Sequence, residues 1–255
     1  MTTTDPILDS LWPFIQAGAG LPVDWRGKLS QRQAYDVQLG ALARRVAAGD
    51  RHVGWKVGLT SKATQVQFGC FEPAFGCLLQ SGARPSGAEF AVARLVRPGF
   101  ENELCLTVGK TLPGPGVTVE QARAAISTVA PALEIVELRT DLSADLNLAI
   151  ADNALQTAFV TGPPRPLAPD VDLAEAVVDV FVNGQHTEQA RGVEVLGNPA
   201  ASVAWLANKL AELGRRLEAG MQIMSGSLTR FYPVDKGSHV EARFTPFGVV
   251  SARFH

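Results

Sequence analysis

Cysteine is scarce in this chain of 255 residues: Cys70, Cys77 and Cys105 fall in no disulfide framework and no zinc-ligand spacing. They read as core thiols of a reducing compartment. Neither sign of charge is in excess, since 23 Lys and Arg face 25 Asp and Glu. A net charge of -2 gives no broad electrostatic basis for binding nucleic acid or an anionic membrane. No apolar run reaches membrane-spanning length, and "MTTTDPILDSLWPF" has neither a basic leader nor an apolar core, so a cytoplasmic protein without a signal peptide is expected. Tandem repeats are missing, as are a Gly-x-Gly-x-x-Gly opening a helix after a strand and a Ser-His-Asp order around a nucleophile elbow. The four histidines, His52, His186, His239 and His255, are scattered.

What is present is a hydrophobic content of 46%, enough for one sizeable core. "LSQRQAYDVQLGALARRVAAGD" predicts a helix over about 30–48, opened by Ser30 and Gln33 in capping-box spacing. "VGWKVGL" reads as a strand carrying Lys56, followed by a helix from Thr60 or Ser61 that stops at Gly69. Thr118 and Gln121 open another helix, which Pro131 is expected to end, and "ALEIVEL" then reads as a strand. Asn183-Gly184 marks a hairpin. Asn198 and Pro199 begin a helix whose apolar stripe runs through Val203, Leu206, Leu210, Leu213 and Leu217. Glycine- and proline-punctuated strands close the chain. The class expected is α+β, with a mainly helical portion over 1–80 and a β-rich body over 81–255.

Chemistry concentrates in "VRPGFENELCLTVGK". Residues two apart in a strand share a face, so Glu101 and Glu103 lie side by side and repel each other. Glu134 lies in an apolar strand, where an uncompensated carboxylate is costly. Three oxygen donors suit magnesium or manganese and do not suit structural zinc. On the residues alone, two solvated acids and a third paired elsewhere stand beside that reading. Lys56 likewise either snorkels to solvent or aims its ammonium into a pocket.

The segments "GWKVGLTSKATQVQFG", "ENELCLTVGKTL", "PALEIVELR", "IADNALQTAFVTGP" and "GNPAASVAWLANKLAELGRRLEAG" followed by "SGSLT" resemble the 2-keto-4-pentenoate hydratase family. That family includes 2-hydroxypenta-2,4-dienoate hydratases and 4-oxalocrotonate decarboxylases, within the fumarylacetoacetate hydrolase fold. The resemblance implies Mg2+, with Mn2+ as an alternative, on Glu101, Glu103 and Glu134. It implies Lys56 beside a small 2-oxo or 2-hydroxydienoate substrate, and Asp152, Asn153, Ser225 and Gly226 around that substrate. It also implies a homo-oligomer and association with another enzyme of the same pathway in aromatic-compound breakdown.

The chain departs from the pattern at Ala74, which replaces an acidic residue of the hydratases; Glu72, two positions upstream, is the candidate substitute in proton transfer. Glu137, Asn198 and Met221 are further departures. The expected function is hydration of a short 2-hydroxy-2,4-dienoate to a 4-hydroxy-2-oxo acid. The alternatives are decarboxylation of a 2-oxo-3-enedioate and a non-catalytic role as structural partner of a pathway enzyme.

Overall fold

The computed structural model describes residues 5–67, 69–141 and 143–255. Two helices open the chain. Pro6–Ala17, not anticipated from sequence, is capped by the Asp5 carboxylate on the Ile7 N–H. Gln31–Ala47 begins with the expected capping box, the Ser30 side chain accepting from the Gln33 N–H and the Gln33 side chain from the Ser30 N–H. The helix after Thr60 is short, Lys62–Gln67.

Among the described residues, nine strands form one sheet. Its path runs Ala74–Leu79, His52–Gly58, Gln222–Met224, Pro98–Val108, Ile126–Glu137, Gln156–Thr161 and Ala83–Pro85, with two short strands off the path. Five more form a second sheet in the order Gln185–Arg191, Val177–Val182, His239–Thr245, Gly248–Phe254 and Ala88–Phe90. Asn183 and Gly184, with φ of 53° and 78°, make the tight turn expected between two of these strands. Because His52–Gly58 and Ala74–Leu79 belong to the main sheet, a division at residue 80 cuts between sheet strands; the second helix ends at Ala47.

The core lies between the two sheets. Leu104, Leu106, Leu133 and Ile135 from the long central strands pack with Val178, Val180, Val240, Val250 and Ala252 from the second sheet. Alternation sends Cys105, Ala130 and Ala132 to the other face, where they meet Leu78, Phe159 and Met224 in a smaller cluster. One face of the central pair is therefore committed to the core, which leaves the other for chemistry.

Two expectations are corrected. Pro131 does not end a helix: the helix from Val119 stops at Ala125, and the strand Ile126–Glu137 runs straight through the proline. Its carbonyl accepts from the Gly162 N–H at 2.9 Å, so its missing N–H falls on the last rung of the ladder with Gln156–Thr161, where little pairing is lost. The helix from Pro199 ends at Glu212, so Leu213 caps it and Leu217 is buried in a bridge to Leu112 outside it. Gly214, with φ of 69°, turns the chain away there.

Candidate active site

The antiparallel register of the long strands sets Glu101 directly opposite Glu134 and Glu103 opposite Ala132. Residues facing each other across a ladder share a side of the sheet, so the three carboxylates meet, each with an oxygen within 4.8 Å of the others. Glu103 and Glu134 are fully buried. Register also brings in the lysine: Lys56 pairs with Met224, and Met224 with Cys105, which puts Lys56 on the glutamate face. Its Nζ lies 3.2 Å from Glu134 Oε1. On the neighbouring strand Gly76 faces Lys56, and a Cβ there would sit 3.1 Å from Lys56 Cγ and 2.7 Å from the Asn153 carbonyl oxygen. The glycine leaves the space that the lysine stem occupies.

Electrostatics at this point are unbalanced. Burial, and then the Glu134 charge, push Glu101 up to about 7. Burial together with Glu134 and Glu101 holds Glu103 well above the usual carboxylate range. Lys56 would be pulled down by burial, but the charges of Glu134, Glu101 and Glu103 outweigh it and raise the ammonium. Glu103 Oε2 accepts from the Gly226 N–H at 2.8 Å, whereas Glu103 Oε1 and both Glu134 oxygens have no hydrogen bond of good geometry among the described residues. Three carboxylates against one ammonium leave an excess that one divalent cation matches, and an all-oxygen donor set is the kind a hard cation takes. The residues fit magnesium or manganese.

Lys56 and Glu101 open onto a cavity of about 850 Å³. Thr60, Ala74, Ser227 and Leu228 line it as well, with Thr140 further along. The Ser227 and Thr140 hydroxyls are buried without a partner among the described residues. Thr140 is a residue that the sequence reading did not single out; nothing in its local pattern marks it, because a loop delivers it.

Other sequence candidates stand elsewhere. Glu72 does not line the cavity: its carboxylate accepts from Gln31 Nε2 at 3.0 Å and from Lys209 Nζ at 2.9 Å, so it is turned away from the position expected of a substitute for Ala74. Ser225 lies beneath the wall, its Oγ accepting from the Leu104 N–H at 3.3 Å. Asp152 is bound by Arg139 Nε at 3.0 Å and lines a separate cavity of about 120 Å³. Asn153 clamps the Cys77 backbone, accepting from its N–H at 2.7 Å and donating to its carbonyl at 3.0 Å. The next two residues, Ala154 and Leu155, are left-handed, with φ of 47° and 66°, and these line the large cavity. Asp152 and Asn153 thus hold a strained wall from behind. Gly226 adopts φ of 102°, and a Cβ there would come within 2.5 Å of the Thr60 side chain. Glu137 joins Arg139 at 2.7 Å and the Val96 N–H at 2.7 Å, on the opposite strand face from Glu134. Met221 receives the Trp55 indole N–H on its sulfur at 3.2 Å, and Asn198 caps the helix from Pro199 through the Ala200 N–H.

The fumarylacetoacetate (FAA) hydrolase C-terminal model matches residues 55–255. The chain belongs to the fumarylacetoacetate hydrolase family. Within this family it is 39% identical over 222 residues to the 4-oxalocrotonate decarboxylase of Pseudomonas sp. (strain CF600), covering 87% of this chain and 84% of that protein. It is 36% identical over 230 residues to the 2-hydroxyhexa-2,4-dienoate hydratase of Comamonas testosteroni, covering 89% and 87%. Among solved structures, the 4-oxalocrotonate decarboxylase from Pseudomonas putida G7, complexed with magnesium and adipate, superposes with a TM-score of 0.91 at 34% identity, over 98% of this chain and 96% of that one. The family member described here is accordingly a lyase of the hydratase and decarboxylase group. No helix among its described residues is long and apolar enough to cross a membrane.

Proposed function

We propose that the protein is a magnesium- or manganese-dependent decarboxylase of a short 2-oxo-3-enedioate, which it converts to carbon dioxide and a 2-hydroxy-2,4-dienoate. Ala74 carries this reading. It lines the cavity together with Lys56, and it offers a methyl group where water addition calls for a group that moves a proton. Glu72 is bound to Gln31 and Lys209 instead. Hydration, the function first expected from sequence, therefore becomes the second reading.

Decarboxylation asks less of a base. The bond between C5 and C6 breaks, C6 leaves as carbon dioxide, and the electron pair passes through the conjugated carbons to the 2-oxygen, which takes a proton from water to become the 2-hydroxyl. Glu101, Glu103 and Glu134 would hold a divalent ion, which would supply Lewis acidity at the 2-oxo acid end of the substrate. Lys56, kept charged by the carboxylates, places a positive charge on the wall of the cavity that faces the developing oxyanion. Gly226 fixes Glu103 through its N–H. Leu155, Leu228 and Phe231 provide an apolar surface for the carbon chain.

The likeness to 4-oxalocrotonate decarboxylases supports this reading, and so does adipate, a six-carbon diacid, in the solved relative. Carbon dioxide release from 2-oxohex-3-enedioate with magnesium tests it, and no release at high enzyme concentration overturns it. The hydratase reading rests on the likeness to the Comamonas enzyme. It requires magnesium-dependent loss of dienoate absorbance with appearance of a 4-hydroxy-2-oxo acid.

A further inference from the structure

The cavity extends well past the glutamates. It follows the two long strands to the end where Pro98 faces Glu137. One step further, Arg97 and Leu138 meet: the Leu138 N–H donates to the Arg97 carbonyl at 3.4 Å, and the Arg97 guanidinium donates to the Leu138 carbonyl. Arg97 and Thr140 both line this far end.

Two properties make the pair unusual. Thr140 is 6% exposed, and its hydroxyl has no hydrogen-bond partner among the described residues. An unmet buried hydroxyl is costly, so a ligand that meets it regains that cost. Arg97 has spent one donor of its guanidinium on a neutral carbonyl, and no carboxylate is in ion-pair contact with it among the described residues. Two of the acids that line the cavity are otherwise engaged. Asp141 Oδ1 accepts from the Ser143 N–H at 3.0 Å and its Oγ at 2.6 Å, and Glu188 lies 3.7 Å from Arg230 while accepting the Tyr232 hydroxyl.

Geometry relates this end to the metal-ligand candidates. Arg97 precedes Glu101 by four residues, so at about 3.3 Å per residue its backbone lies about 13 Å along the strand, and its long side chain can cover part of that span. Val136, Leu138, Leu155 and Phe231 line the stretch between. The cavity is polar at two poles and apolar along its middle.

We propose that Arg97 and Thr140 form a second anion-binding pole, which receives the far carboxylate of a short-chain dicarboxylate and so selects diacids over monoacids of equal length. This rests on the proposed function for the near end, where the three glutamates and Lys56 receive the 2-oxo acid. The grip is made in the ground state and ends when the far carboxylate departs as carbon dioxide, so it favours substrate capture and leaves the five-carbon product without a hold at that pole. Its effect belongs in KM.

Calorimetric titration of the magnesium-loaded full chain with 2-oxoadipate and with 2-oxohexanoate tests the assignment. The expected result is at least a tenfold preference for 2-oxoadipate, abolished in Arg97→Met and reduced in Thr140→Val through weaker 2-oxoadipate binding alone. Equal affinities in the wild type overturn the proposal, as does an Arg97→Met variant that weakens both ligands by the same factor. If neither ligand binds in a magnesium-dependent way, the proposed function falls together with this inference; if both bind with magnesium and equally well, only the inference falls. Arg97 is exposed, so its replacement leaves the core untouched.

Discussion

The backbone N–H of Gly226 donates to Glu103 Oε2 at 2.8 Å, and the same residue passes so close to Thr60 that a Cβ would come within 2.5 Å of that side chain. A metal-ligand candidate is thus aimed by a residue that can be nothing larger than glycine. Gly226→Ala is expected to destabilise the fold by about 1–3 kcal/mol through crowding and its left-handed φ, and to weaken magnesium binding as Glu103 shifts. Urea unfolding and calorimetric titration measure the two effects. Unchanged magnesium affinity would show that Glu103 needs no such support.

Glu103→Gln separates charge from shape. The variant keeps the side-chain volume but removes one of three crowded negative charges, so the metal-free protein should melt no lower than wild type, while magnesium affinity falls by at least tenfold. Thermal melts with and without magnesium check both halves. Equal affinity in the two proteins would sink the three-glutamate site.

Protons and cation compete for the same oxygens. Glu101 is pushed up to about 7 without metal, so below that pH a cation must displace a proton, and above it the carboxylate is already ionised. Because Glu103 is also held well above the usual carboxylate range, apparent magnesium affinity should therefore rise with pH through that point, by about tenfold per unit for each proton displaced. Titrations across this range, with proton release followed in buffers of different ionisation enthalpy, test the sign. Affinity that is flat with pH would contradict it.

Lys56→Met makes two opposite demands. Removing the ammonium leaves the carboxylates more negative, so magnesium should bind more tightly; with no positive charge at the oxyanion, turnover should fall by about 10²–10³-fold. A lysine that only filled space would move neither quantity.

The candidate metal centre was legible because strand alternation is a strict period of two. Glu101 and Glu103 announce a shared face, and the odd spacing of Glu134 and Glu137 separates their roles, one at the site and one bound to Arg139. The register that brings Glu134 opposite Glu101 was not legible, since pairing between distant strands leaves no local mark. Pro131 misled for a related reason: proline is a stop signal in a helix, but at the last rung of a ladder it is tolerated, and only the partner strand reveals which case applies. Asp152 and Asn153 carried the resemblance, yet their side chains face Arg139 and the Cys77 backbone, and it is the residues after them that reach the cavity. Arg97 and Thr140 stood out in no motif. They line one cavity because the strand that follows Arg97 is paired with the strand that precedes Thr140.

Pro131 has a last consequence for the chemistry three residues on. Sliding the strand Ile126–Glu137 by one position would turn Glu134 to the other side of the sheet, into the hydrocarbon between the layers. The same slip would swing the proline nitrogen, which has no hydrogen to give, from the vacant end of one ladder into the middle of the ladder with Pro98–Val108. An imino acid that never touches the site thereby acts as a detent for it: of two neighbouring alignments, only the one that sets Glu134 beside Glu101 leaves every inner rung with its donor.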